Sequence, residues 1–130
     1  MLHVAADIIC REGRVLICQR AAGKLAHLWE FPGGKLEQGE TLEECIIREC
    51  KEELAIDIKV KKVFDRRKYR DPGKEILFTF FQAELQKGEV TPLREIHENA
   101  CWVAPEELDQ YELCPADRLT AAKLKENGSQ

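Results

Sequence analysis

Glu49, Glu52 and Glu53 stand at i, i+3 and i+4 in a segment whose start is marked by Thr41 and, three residues on, Glu44, a T-x-x-E capping box. The pattern predicts a helix from Leu42 through Cys45, Ile46, Ile47 and Cys50 to about Leu54, with the three carboxylates as neighbours on one face. Like charges so placed repel, at about a few tenths of a kcal/mol per i,i+4 pair. A hard divalent cation reverses the sign of that cost. Carboxylate oxygens suit Mg²⁺ or Mn²⁺, and Mg²⁺ is typically shared between a few carboxylates, waters and substrate phosphates. A solvated acidic helix face is the plain alternative for an E-x-x-E-E taken alone, so the preceding residues decide. Glu30-Phe31-Pro32-Gly33-Gly34-Lys35 supplies two glycines where backbone can approach a ligand closely and a proline that stiffens the chain before them.

With that loop included, the chain resembles the Nudix hydrolases, whose box reads G-x5-E-x7-R-E-U-x-E-E-x-G-U with U aliphatic. Gly34, Glu40, Arg48, Glu49, Glu52, Glu53 and Ile56 match it at the required spacing. Two positions depart. Cys50 stands where an aliphatic residue is usual, a mild change because a free thiol packs as a small hydrophobe. Ala55 replaces the glycine that ends the helix in a left-handed conformation, which costs a non-glycine residue about 1–2 kcal/mol. A different helix ending is therefore expected, with metal ligation intact.

The likeness to the MutT-type branch runs from the first hairpin to Pro115-Ala116-Asp117. It implies hydrolysis of nucleoside triphosphates to the monophosphate and pyrophosphate by water attack on the β phosphorus. It implies that Glu49, Glu52, Glu53 and the Gly33 carbonyl hold Mg²⁺ (or Mn²⁺), that Arg48 orients Glu49, and that Glu40 supports the site from its edge. Arg20 would contact phosphate, Gly34 and Lys35 would line the substrate, Phe31 would lie beside the base, and Asp117 would read the base edge. Metal ions in such a site neutralise polyphosphate and lower the pKa of a bound water, and a carboxylate must take the proton. Glu49 is one candidate base. The segment Arg94-Glu95-Ile96-His97-Glu98 offers two more, Glu95 and Glu98, of which Glu98 is favoured.

Asp117 bears on substrate choice. An amide at this position would donate to O6 and accept from the N7 hydrogen that 8-oxoguanine alone carries. An ionised aspartate fits the exocyclic amine of cytosine better. A protonated aspartate serves either base, and a dry pocket beside Phe31 would push its pKa upward. Both 8-oxo-dGTP and cytosine nucleotides stay open, with 8-oxo-dGTP ranked first. An ordinary N-cap after Pro115 is the plain reading of Asp117. An ADP-ribose or dinucleotide hydrolase, and a nucleotide-sensing module without catalysis, rank below.

The elements that must position these residues read as an α/β (α+β) sandwich around a mixed sheet. Residues 3–10 and 14–20 form a hairpin turning at Arg11-Glu12-Gly13. A strand near 57–69, a turn at Asp71-Pro72-Gly73 and an aromatic strand from Ile76 to Leu85 follow the glutamate helix. Gly88–His97 reads as a loop, Cys101-Trp102-Val103 as a short strand, Ala104 to Leu108 as the start of a short helix, and Ala116–Lys125 as a final helix. The last residues, 127–130, are expected to fray. Ile58, Val60 and Phe64 should face inward, leaving the seven basic residues of 58–70 in water; a phosphate track is the rival reading. Trp29 and Trp102 read as core anchors, and His27 as solvated.

At 130 residues the chain suits one domain, expected to span 1–130. With 44% hydrophobic and 34% charged residues it is neither disordered nor membranous, and no signal peptide or spanning segment is visible. The net charge of −4 argues against a nucleic-acid polymer as partner. Six cysteines without a C-x-x-C, two of them in the glutamate helix, point to reduced thiols in a cytoplasmic protein. The three histidines are scattered, which argues against zinc. A monomer is expected.

Overall fold

The computed structural model describes residues 1–127. Its elements are β1 (Leu2–Arg11), β2 (Arg14–Arg20), β3 (Trp29–Glu30), β4 (Gly33–Lys35), α1 (Leu42–Leu54), β5 (Asp57–Asp71), β6 (Lys74–Lys87), β7 (His97–Val103), a 3-10 helix (Pro105–Gln110) and α2 (Pro115–Asn127). Asn127 closes α2, and the rest of the expected frayed end, 128–130, lies outside the described residues.

β1 is the axis of the mixed sheet. It runs parallel to β6 from Leu2 to Cys10 and antiparallel to β2 and β4, while β2 continues antiparallel to β3 and β7. Side chains alternate across the pleat. Ala5, Ile9, Leu16 and Cys18 meet Ile46, Cys50 and Leu54 of α1 on one face. Ala6, Ile8, Val15 and Ile17 meet Leu108, Ala121 and Leu124 of the 3-10 helix and α2 on the other. A sheet between two helical layers results.

Ile58 and Val60 pack with α1 and Phe64 with the α2 layer, the change of face following bulges in the β5–β6 ladder. Lys59, Lys61, Lys62, Arg66, Lys68 and Arg70 stay exposed on this edge strand. Three expectations need correction. The stretch read as a plain loop before the box contains β3 and β4, two and three residues long and too short for alternation to register. The strand read at Cys101–Val103 begins at His97, because its polar first half pairs with β2 as Gln19↔Asn99 and Cys18↔Ala100. The helix ending is the third.

Ala55 takes the left-handed conformation after all, with φ 60° and ψ 36°. Its N–H reaches Lys51 O at 3.2 Å, the 5→1 bond of an αL helix ending, and the Ile56 N–H reaches Cys50 O at 3.4 Å. Leu54 and Ile56 are both buried, and each such side chain stabilises by about 1.5–3 kcal/mol, enough to hold the alanine there. Ala55→Gly should therefore raise stability by about 1 kcal/mol with turnover unchanged, as read by urea unfolding. An unchanged or lowered midpoint would show that the position carries no strain.

Candidate active site

The capping box forms as expected, with the Glu44 N–H donating to Thr41 Oγ1 at 3.1 Å and the Thr41 N–H to Glu44 Oε1 at 2.9 Å. It fixes the first turn of α1, so that Arg48 comes beside the loop. Arg48 Nε and Nη2 donate to the two oxygens of Glu40 at 2.6 and 2.9 Å, a bidentate fork. Its Nη1 donates to Glu49 Oε1 at 2.7 Å and Glu52 Oε1 at 3.3 Å. The Arg48 bonds, helped by the Glu37 backbone, hold the Glu40 carboxyl down at about 2.

Among the described residues no lysine or arginine pairs with Glu53 in this way. Burial, then its hydrogen bond with Glu49 and the charges of Glu49, Glu30 and Glu52, push its carboxyl up to about 9. Carboxylates crowded in this way and short of positive charge are a donor set for a divalent cation. β4 sits against them. A Cβ on Gly34 would lie 2.4 Å from the Glu49 carboxyl carbon, and one on Gly33 would lie 2.1 Å from the Ala5 carbonyl oxygen. The glycines thus let the glutamate and β1 come close; the sequence reading assigned that closeness to a ligand.

On the other side of β4 is a cavity of about 230 Å³ whose walls include Arg20, Glu30, Phe31, Gly33, Gly34, Lys35, Cys114 and Asp117. All five residues read from the sequence as substrate-binding (Arg20, Phe31, Gly34, Lys35 and Asp117) line it. Backbone pairing brings α2 here, since the Trp29 N–H donates to Glu112 O and the Cys114 N–H donates to Trp29 O, each at 2.8 Å. Trp29 itself packs edge-on to Tyr111 at 5.1 Å, and Trp102 packs partly buried beneath Arg11.

Helix α2 begins at Pro115, so Asp117 is its third residue and not its N-cap. It is 4% exposed. Burial first, then the neighbouring Glu30 carboxylate, raise its carboxyl well above the usual range against the opposing pull of Arg20. Donor atoms of Glu30, Cys114 and Asp117 all lie within 4.8 Å of one another. Burial likewise pushes the Cys114 thiol up to about 12. All six cysteines are free thiols.

The late segment places Glu95, His97 and Glu98 in different surroundings. Glu98 accepts from His27 Nδ1 at 2.8 Å, and Glu95 is exposed in the turn before β7. The side chain that reaches inward is His97, with Nε2 3.1 Å from Glu30 Oε2 and Nδ1 4.0 Å from Glu53 Oε1. Sequence reasoning passed over His97 and Glu30, one as part of a loop and one as a flank of the glycines; the alternation of β7, had that strand been recognised, was the available signal. Among the described residues, the histidines that have side-chain partners pair with carboxylates and not with each other.

The NUDIX domain profile matches residues 1–124. The chain is 37% identical to the CTP pyrophosphohydrolase of Escherichia coli K12 over 90% of its own length and 86% of that protein's. It is 34% identical to the 8-oxo-dGTP diphosphatase of the same organism over 95% of its length and 96% of that relative's. A crystal structure of a MutT NUDIX hydrolase from Burkholderia pseudomallei superposes with a TM-score of 0.86 at 27% identity, covering 95% of this chain and 97% of that one. A mixed sheet between helical layers, with a carboxylate helix face behind a glycine strand, is thus a Nudix fold with its box in place. The chain belongs to the NUDIX family.

Proposed function

We propose that this chain is a Mg²⁺-dependent hydrolase of nucleoside triphosphates, releasing the monophosphate and pyrophosphate, and that 8-oxo-dGTP is its favoured substrate. One observation carries the choice of base: Asp117 is buried in the cavity wall beside Glu30. Both conditions favour a neutral carboxyl, which offers an O–H donor and a C=O acceptor side by side. Those are the groups needed by O6 and N7–H of 8-oxoguanine. An ionised Asp117 would suit cytosine, the base named for one relative.

When bound, the divalent ion supplies charge neutralisation of the polyphosphate and a water of lowered pKa. The chain's own residues do the rest. Glu49, Glu52 and Glu53, with the Gly33 carbonyl, hold the ion; Arg48 fixes Glu49; Arg20 and Lys35 meet phosphate oxygens where the cavity joins β4; Phe31 lies against the base. We assign the proton-accepting role to Glu49, because it adjoins both Glu53 and Gly34. Glu98 is engaged by His27. Glu49→Gln should cut kcat by on the order of 10²-fold or more, and Glu98→Gln by less than tenfold. The reverse order would return the base to the late segment.

We infer a single-domain enzyme working as a monomer on free nucleotides in the cytoplasm, without nucleic-acid polymer or membrane; the net charge of −4 supports the exclusion of a polymer. Among the described residues no helix is long and apolar enough to cross a membrane. Pyrophosphate release with Mg²⁺ across 8-oxo-dGTP, dGTP, CTP, dCTP, 5-methyl-dCTP and ADP-ribose tests the reading. The expected result is a preference for 8-oxo-dGTP over dGTP that weakens as pH rises through the Asp117 pKa, and that loses this pH dependence in Asp117→Asn. A preference for the cytosine compounds at neutral pH would overturn the neutral carboxyl, and no turnover of any triphosphate would revive the sensing module.

A further inference from the structure

His97 opens β7 opposite Arg20, where the β2–β7 register shifts, and it is 1% exposed. Its Nε2 lies 3.1 Å from Glu30 Oε2, and the other Glu30 oxygen accepts from Arg20 Nη1 at 3.1 Å. Its Nδ1 lies 4.0 Å from Glu53 Oε1 and, although buried, has no hydrogen-bond partner among the described residues. Buried ring nitrogens are ordinarily paired, so an orphan aimed at a carboxylate calls for an account. Arg20, Glu30, His97 and Glu53 make a continuous polar row from the cavity wall to the carboxylate face of α1.

We infer that His97 is a positioning residue for the divalent-metal site: with both ring nitrogens carrying hydrogen, Nε2–H donates to Glu30 and fixes the ring, and Nδ1–H donates to Glu53 and sets its orientation, tying that ligand to the Arg20–Glu30 wall of the nucleotide cavity. The inference rests on the reading of Glu53 as a metal ligand. Partners of this kind, one atom behind the ligand, fix the ligand's rotamer and its oxygen geometry. A turn of the Glu53 carboxylate that shortens the separation by about 1 Å brings Nδ1 within hydrogen-bond range. Because His97 and Glu30 share the row with Arg20, the substrate wall and the metal ligand are held as one unit.

The test exploits the two nitrogens separately. A glutamine at 97 keeps a donor near the Nε2 position and nothing at Nδ1; an asparagine keeps a donor near Nδ1 and loses the bond to Glu30. Mn²⁺ affinity, followed by electron paramagnetic resonance of the free ion without substrate, should weaken about 10–100-fold in His97→Gln and recover in His97→Asn. If Glu53→Gln loses Mn²⁺ while His97→Gln stays within twofold of the parent, the positioning role is overturned and the metal assignment stands. Equal Mn²⁺ affinity in the parent and Glu53→Gln overturns both. A second measurement needs no folded variant: in the unaltered protein the ¹⁵N resonance of the buried ring's Nδ1 should move on Mg²⁺ addition more than that of Nε2. Unmoved ring resonances with Mg²⁺ bound would overturn the proposal.

Discussion

Glu52→Gln should lower turnover of the preferred triphosphate by at least on the order of 10²–10³-fold, while the protein stays folded and still binds nucleotide. A metal ligand's contribution to transition-state charge stabilisation is several kcal/mol, and each 1.36 kcal/mol is roughly tenfold in rate. The substitution keeps the shape of the side chain and removes its charge. Glu52 is well suited to the test because its side chain is 59% exposed and its contact with Arg48 is a long 3.3 Å. Removing a like charge from the Glu49–Glu52–Glu53 face should leave the metal-free fold slightly more stable. Loss of activity accompanied by unchanged or raised thermal stability is the expected signature. Near-parent turnover in Glu52→Gln would remove Glu52 from the ligand set.

The residues whose roles are carried by spacing were legible from the chain alone. Thr41 and Glu44 announced α1 because a capping box is a local contract between two side chains and two backbone donors. Glu49, Glu52 and Glu53 share a face because 3.6-residue periodicity leaves them no alternative. Arg20, Phe31, Lys35 and Asp117 converge on one cavity, yet they come from β2, the β3–β4 region and α2, and only the family resemblance related them. What stayed hidden was set by tertiary contacts. Ala55 is forced left-handed by the two buried side chains that flank it, against its own preference. His97 sits in a run of polar residues that reads as a loop until β2 pairs with it. Glu30 acquires its meaning only from Arg20 and His97, which contact it from two other strands.

Asp7 is the residue whose surroundings were least visible in the sequence, and it should give stability a pH dependence of its own. It reads there as a charge interrupting an N-terminal strand, but β1 turns it toward α1 with no exposure at all. Among the described residues its only side-chain hydrogen bond is from the Cys50 thiol to Oδ2 at 3.0 Å, and Oδ1 has no partner. Burial raises its carboxyl from 3.8 to about 7, opposed only by that thiol. Between those values the folded protein holds a proton that the unfolded chain has released, so stability is full below the unfolded pKa and falls as pH rises to the folded one. At 1.36 kcal/mol per pKa unit the whole shift amounts to roughly 4 kcal/mol, with roughly 3 kcal/mol of it lying between pH 5 and pH 8. Asp7→Asn cannot ionise, and it leaves a buried amide donor that costs about 1–3 kcal/mol at every pH. The variant should therefore gain on the parent by roughly 3 kcal/mol between pH 5 and pH 8. Urea unfolding of both proteins in EDTA at the two pH values isolates this residue, because Glu53, Asp117 and Glu40 titrate alike in each and cancel in the difference. Parallel losses of stability in parent and variant would mean that Asp7 is already ionised at pH 5, and that its charge is stabilised by more than the Cys50 thiol.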